Sequence, residues 1–465
     1  MSKHDDTSGQ HLSGSGNGGL NGCVDYKNLV YTTSLGFAST GDNGGHDGPS
    51  IDGSAFLDND NIIDFAYRSR HTTVLSGKQV VEQYYGRPHK TSYYYGCSTG
   101  GRQGMKSAQM FPEDFDGIVA GSPATDFNHL GAWTAHFLTL TGTNASDPRF
   151  LSDTQLTAVT NEIYRQCDTI DRVADGIIED SSICNFNPET LLCNRGPIAQ
   201  SPMFNGTCLS NTQVQTVRNI FLPLYGLNET FVYPRLSPGA DLFDSSVLQG
   251  QTTTLGGEYY RYAILSDPSW DPTTFSALDI KVADSLDPAH GFISSFSGDL
   301  YSFKSRGGKI LTYHGGADPI ISGEQSMRYY QHVAKTMSFS NADMDSFYRL
   351  FPISGMAHCE GGQGAWAFGQ RSTAANSTDN ILMDLVRWTE GGAAPERIVG
   401  EKWVNDSSIL GVKFKRAHCR YPYRTTYVGG DPDDVDSWDC RYIEGVKAAS
   451  KKTQTIPAVL QEGHT

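Results

Sequence analysis

The sequence has no apolar run approaching the ~20 residues needed to cross a bilayer, so no membrane association is expected of it. It is also short of positive charge. With 36 basic against 51 acidic side chains the formal net charge is −15, which opposes binding to phosphate backbones and excludes nucleic acid as an expected partner. The stretch Met1 to Gly19 lacks the apolar core of a signal peptide. Other features nevertheless point outside the cell. The nine cysteines are Cys23, Cys97, Cys167, Cys184, Cys193, Cys208, Cys359, Cys419 and Cys440. The pairs Cys167/Cys184, Cys193/Cys208 and Cys419/Cys440 are close enough in sequence to close small disulfide loops, as in an oxidising compartment. Asn144, Asn205, Asn228, Asn376 and Asn405 each begin a glycosylation sequon. A secreted protein is therefore expected, its native N-terminus lying upstream of the residues given. The alternative is a cytosolic chain carrying nine thiols.

At 465 residues the chain exceeds one ordinary domain. Residues 1–22 are polar and rich in Gly and Ser, and read plainly they are a tail. Beyond them, short apolar runs alternate with helical spacing. Strands are expected at 36–40, 91–95, 117–121 and 309–314, and helices at 74–85, 102–110 and around 381–388. Such alternation predicts an α/β fold, a mostly parallel sheet flanked by helices. Between 128 and 293 the character changes, with four cysteines, three sequons and many Pro and Asn residues. This segment reads as a large inserted lid domain, dividing a catalytic domain into 1–127 and 294–465.

Gly96-Cys97-Ser98-Thr99-Gly100 is a G-x-S-x-G set between a strand-like Ser92-Tyr93-Tyr94-Tyr95 and a helix, the context of a nucleophile elbow. A sharp strand-to-helix turn leaves no room for Cβ atoms two residues either side of the serine, so both places are glycine. The Thr99 amide, at the helix N-terminus, is positioned to stabilise an oxyanion. A phosphate-cradling loop is the rival reading, but the Gly-Lys-Ser/Thr ending is absent. A serine hydroxyl needs a base and an acid that orients it, and in this fold they follow in the order Ser, Asp or Glu, His. Asp318 follows the 309–314 strand through Gly315-Gly316-Ala317, and His358 lies 40 residues further on. Asp318-Pro319 is equally what a simple turn would use. His358 stands out among 13 histidines by position alone.

Cys97 precedes the serine and Cys359 follows the histidine. A bridge between them would hold their Cα atoms roughly 4.4 to 6.8 Å apart and set Ser98 beside His358; two buried free thiols are the alternative.

The run 96–104, the segment Phe111-Pro112-Glu113-Asp114-Phe115-Asp116-Gly117-Ile118-Val119-Ala120-Gly121, and His358-Cys359 resemble the fungal tannase and feruloyl esterase family over about residues 16–442. The resemblance implies a secreted α/β-hydrolase core with a lid, a Cys97–Cys359 bridge, and cleavage of aromatic carboxylate esters such as those on plant cell-wall polysaccharide. It needs no organic cofactor. Family members carry further N-terminal sequence with cysteines, where a partner for Cys23 is expected. The second oxyanion amide is expected from Gly18 or Gly19 in Gly16-Asn17-Gly18-Gly19. The resemblance also implies structural calcium in the lid. Asp168, Asp171 and Asp175 would give side chains and Val173 and Ile177 carbonyls, whereas the residues alone are equally consistent with a solvated acidic turn. Segment 22–26 is more like the feruloyl branch. A tannase is the first alternative, and an inactive carbohydrate- or calcium-binding relative is the second.

Overall fold

The structure, a computed structural model, describes residues 11–193, 207–243, 246–370 and 380–443. Its strands are β1 His11–Ser15, β2 Ala38–Gly41, β3 Thr91–Cys97, β4 Gly117–Gly121, β5 Leu224–Tyr225, β6 Phe231–Tyr233, β7 Lys309–Gly315, β8 Tyr348–Ile353, β9 Arg397–Trp403, β10 Val412–Cys419, β11 Tyr423–Tyr427 and β12 Trp438–Tyr442. Six of them form one sheet in the order β2-β1-β3-β4-β7-β8, every neighbouring pair parallel. Parallel strands need crossover connections, and helices such as Ser69–Tyr85, Thr99–Met110 and Gly323–Thr336 supply them. The expected α/β-hydrolase architecture is the one observed.

Both faces of the strands β3, β4, β7 and β8 are covered, so these read as nearly continuous buried runs. Tyr93 and Tyr95 pack on one face with Val119, Leu311, Phe351 and the helix Ile381–Gly391, while Tyr94 packs on the other with Ile118, Ile310 and Leu350. Three consecutive tyrosines are thus divided between two cores by the two-residue period of a strand.

Residues 128–293 contribute most of a separate apolar core, joined by Leu20, Phe56, Ile62, Phe65, Ala66 and Ile321. The helices here begin where the sequence offers a cap. Ser152 with Gln155, Ser210 with Gln213 and Ser276 with Asp279 each form a reciprocal capping box, worth about 1 kcal/mol per cap. The segment begins one residue into the helix Phe127–Thr141 and ends ahead of the helix Tyr301–Ser305 that leads into β7.

Three short disulfides staple the periphery. Cys167 is bonded to Cys184, Cys193 to Cys208 and Cys419 to Cys440, with sequence separations of 17, 15 and 21 residues. These are the pairs expected from their spacing. Cys167–Cys184 and Cys193–Cys208 lie within the 128–293 segment, whereas Cys419–Cys440 joins the end of β10 to β12.

The reading of residues 1–22 as a tail is overturned from His11 onward. β1 lies inside the sheet between β2 and β3, and Leu12, Ser13 and Asn17 are buried. Its sequence, HLSGS, holds one large apolar residue, so hydropathy alone gave no strand signal. Residues 1–10, and the sequons at Asn205 and Asn376, lie outside the described residues, whereas Asn144, Asn228 and Asn405 are exposed.

Candidate active site

The turn from β3 into the helix Thr99–Met110 holds Ser98 at φ 64°, ψ −126°. A non-glycine residue at positive φ costs of order 1–3 kcal/mol and persists only where its surroundings impose it. They do so here: the Ser98 amide donates to the Gly121 carbonyl at 2.9 Å, and the Ser98 carbonyl accepts from Arg102 and Ala124, both at 3.1 Å. A Cβ on Gly96 would lie 2.8 Å from the Gly100 carbonyl carbon, which is the steric reason for glycine in the motif. The first turn of the helix leaves the Thr99 amide without an intrahelical acceptor.

The segment 16–19 runs against this elbow. Gly16 fits so closely that a Cβ there would come within 2.1 Å of the Tyr94 hydroxyl. Two of its amides are already engaged, Gly16 with the Tyr95 carbonyl at 3.3 Å and Asn17 with Gln103 Oε1 at 3.2 Å. The Gly18 and Gly19 amides donate no such bond among the described residues. Gly18 borders open space, while Gly19 packs against Ser50.

Asp318 follows β7 and is fully buried. Its Oδ1 accepts from the amides of Ile320 and Ile321 at 2.8 and 2.9 Å, and its Oδ2 accepts from His358 Nδ1 at 2.8 Å. Burial by itself would raise the Asp318 pKa, but the neighbouring His358 and His314 imidazoles outweigh it and hold the carboxyl well below the usual range. The group is therefore ionised where it faces His358.

β3 and β8 are three strand spacings apart, roughly 14 Å across the sheet. The Cys97–Cys359 disulfide nonetheless holds its Cα atoms 6.0 Å apart, so the loop after β8 folds back over the carboxyl ends of β7 and β4. Ser98 and His358 are the immediate chain neighbours of those two cysteines. Cys23, by contrast, is free and exposed.

Two buried cations on the elbow helix had no sequence signal beyond their type. Arg102 donates to the Phe65, Ala66 and Ile293 carbonyls at 2.8–3.1 Å, and Lys106 donates to the carbonyls of Phe292 and Ser294. Burial pushes the Lys106 ammonium down to about 7. Both tie the helix carrying the serine to the end of the 128–293 segment.

The acidic loop is arranged differently. Asp168, Asp171 and Asp175 each turn one oxygen back on a loop amide, those of Gly176, Val173 and Ile177, all at 3.0 Å. Asp175 Oδ2 pairs with Arg416 Nη2 at 2.7 Å. Among the described residues no three acidic, histidine or cysteine side chains gather as a metal cluster, so the three aspartates are not brought to one point. Two observations still favour a cation. Asp171 Oδ2 is buried with no partner, and the carbonyls of Val173 and Ile177 accept no hydrogen bond among the described residues. Burial raises the pKa of both Asp168 and Asp171, with the charge of Asp175 adding to it.

A probable feruloyl esterase B-1 of Aspergillus oryzae is 47% identical over 93% of this chain and 79% of its own length. A probable feruloyl esterase B-2 of Neosartorya fischeri is 45% identical over 93% of this chain and 81% of its own. The crystal structure of feruloyl esterase B from A. oryzae superposes with a TM-score of 0.87 at 46% identity, covering 94% of this chain and 85% of that one. Tannin acyl hydrolase from Aspergillus niger, at 21% identity and a TM-score of 0.75 over 93% of this chain and 81% of that one, shares the fold. The sequence model of the tannase and feruloyl esterase family matches residues 8–441, and the chain belongs to that family.

Proposed function

We propose that this chain is a secreted carboxylic ester hydrolase that cleaves hydroxycinnamate (feruloyl) esters, such as those on plant cell-wall polysaccharide, through an acyl-enzyme on Ser98. The observation that carries the reading is the Asp318–His358 hydrogen bond of 2.8 Å, delivered beside the Ser98 elbow by the Cys97–Cys359 bridge. Because Nδ1 of His358 donates to Asp318, Nε2 is left as the base. It takes the Ser98 proton as Oγ attacks the ester carbonyl. The amides of Thr99 and of Gly18 or Gly19 receive the developing oxyanion, each such donor being worth roughly 10²- to 10³-fold in turnover. Collapse expels the alcohol with that proton. Water, deprotonated by His358, then attacks the acyl-enzyme, releasing the aromatic acid and restoring Ser98.

The 128–293 segment, whose apolar core takes in Leu20 and Ile321 from the loops after β1 and β7, is the lid of this reading. Four disulfides and three exposed sequons favour an extracellular setting. In the lid, Asp168, Asp171 and Asp175 with the carbonyls of Val173 and Ile177 would hold a structural Ca²⁺, a hard cation suited to oxygen ligands. The unpartnered Asp171 oxygen supports this. Calcium would supply charge neutralisation to the loop and no catalytic step.

Hydrolysis of methyl ferulate, caffeate, p-coumarate and gallate distinguishes the acyl groups. Methyl ferulate is expected to show a kcat/KM at least tenfold above methyl gallate. A preference for gallate would make the chain a tannase, and failure of serine-directed phosphonates to label it would leave a binding protein without this chemistry.

A further inference from the structure

Four residues before Asp318, at the end of β7, stands a further histidine, His314, and it is buried. His314 Nε2 lies 3.3 Å from Asp318 Oδ2, the same oxygen that His358 Nδ1 contacts, and 3.0 Å from the Ile321 carbonyl. A ring nitrogen facing two acceptors must carry the hydrogen, since a lone pair there would be repelled by both. On the other side of the ring Nδ1 lies 2.6 Å from Ser326 Oγ, which as a hydroxyl can donate to it. Ile321 also returns its own amide to Asp318 Oδ1 at 2.9 Å. His314, Asp318 and Ile321 thus close a small ring of contacts. The ring is not held by packing alone, because His314 also borders a cavity of about 340 Å³ with Met327, Leu350, Ile353 and Tyr421 on its wall.

We propose that His314 is a positioning residue for the hydrolysis, its Nε2–H holding the Asp318 carboxylate, and the turn from 318 to 321, at the angle from which Oδ2 meets His358. The inference rests on the reading of Ser98, Asp318 and His358 as the reacting triad. Without the donor, Asp318 Oδ2 keeps only His358, and Ile321 loses the contact that keeps its amide on Oδ1. The carboxylate then samples orientations that do not hold the imidazole in its productive tautomer. Such a loss acts on the chemical step and not on ester binding.

The test compares His314→Leu, His314→Gln and Ser326→Ala with the parent enzyme on methyl ferulate, with Ser98→Ala as reference. His314→Leu is expected to lower kcat at least tenfold with KM within twofold. His314→Gln, whose amide nitrogen reaches the place of Nε2, is expected to recover most of that loss. Ser326→Ala, which removes the partner of Nδ1 and lets the ring pivot away from the line to Asp318 Oδ2, is expected to lower kcat severalfold. An unchanged kcat in His314→Leu, equal losses in the Leu and Gln variants, or an effect confined to KM overturns the proposal. If His314→Leu does not fold, Ser326→Ala decides: a fall in kcat at unchanged KM supports the positioning role and an unchanged kcat overturns it. Near-normal turnover in Ser98→Ala would instead refute the triad itself.

Discussion

At the carboxyl ends of β7 and β8 both oxygens of the Asp318 carboxylate are occupied by donors from the chain, whereas in the loop 168–177 one oxygen of Asp171 is sealed from solvent with nothing to accept from. Both regions place carboxylates close to other charges, yet they meet the cost of burial in different ways. Asp318 is stabilised as an anion by two backbone amides and the imidazoles of His358 and His314, so its charge is ready for use. Asp168 and Asp171 are instead destabilised as anions by burial and by the charge of Asp175, and Arg416, paired with Asp175 and Glu179, offsets this at Asp171 only in part. A charged group complete without additions suits catalysis. One left incomplete suits an ion supplied from outside.

The largest effect that would break this contrast lies at the reacting hydroxyl. Ser98→Ala is expected to lower kcat on methyl ferulate by about 10³-fold or more, leaving the unfolding temperature unchanged or slightly raised because a strained positive-φ residue loses only its Oγ. Steady-state kinetics beside a thermal melt checks both halves, and a variant retaining a tenth of parental turnover contradicts the proposed chemistry.

Next in size is the covalent tether. Cys97→Ser with Cys359→Ser opens a closure of 262 residues, with an expected loss in stability of up to ~5.6 kcal/mol in the chain-entropy model. Cys167→Ser with Cys184→Ser opens one of 17 residues, for ~3 kcal/mol in the same model. Denaturant unfolding gives both values. The sharper comparison is functional, since only the first pair should also lower kcat in the protein that remains folded. If both pairs cost the same turnover, the Cys97–Cys359 bridge is a stability element and not a device for setting Ser98 beside His358.

The smallest expected effect separates the acidic loop from the site. Removing calcium with EGTA is expected to lower the melting temperature by several degrees, corresponding to ~2–3 kcal/mol for a site held near a hundredfold excess of ion. The kcat of the folded enzyme should not change, and added Ca²⁺ should restore the melt. Asp171→Asn should remove the response to chelation. A melt insensitive to EGTA in the parent protein argues for an acidic turn that binds no ion.

The elbow was readable because its determinants are neighbours in the chain. Two glycines flank a serine within five residues, and the steric reason for them acts over the same distance. The bridges Cys167–Cys184, Cys193–Cys208 and Cys419–Cys440 were readable for a similar reason, since each closes a short loop. Asp318 and His358 could be proposed from chain order, but nothing in Asp318-Pro319 separates an acid from a turn former until the histidine is beside it. β1 reads as a tail because His11–Ser15 is mostly small and polar. It is a strand through its pairing with β2 and β3, which supply the hydrogen bonds and the cover that its own side chains lack. His314 carried no distinguishing mark among 13 histidines. Its contact with Asp318 exists because the turn after β7 brings residue 318 back beside residue 314.

By itself the sequence determined the alternation of strand and helix, the elbow at Ser98, and the short disulfide loops, because each depends on residues close together in the chain. Tertiary structure decided that β1 belongs inside the sheet, that Asp318 meets both His358 and His314, and that the loop after β8 crosses two strands to reach β3. Those contacts depend on the order in which strands lie side by side. A chain read in one dimension holds that order only as the sum of many weak long-range preferences.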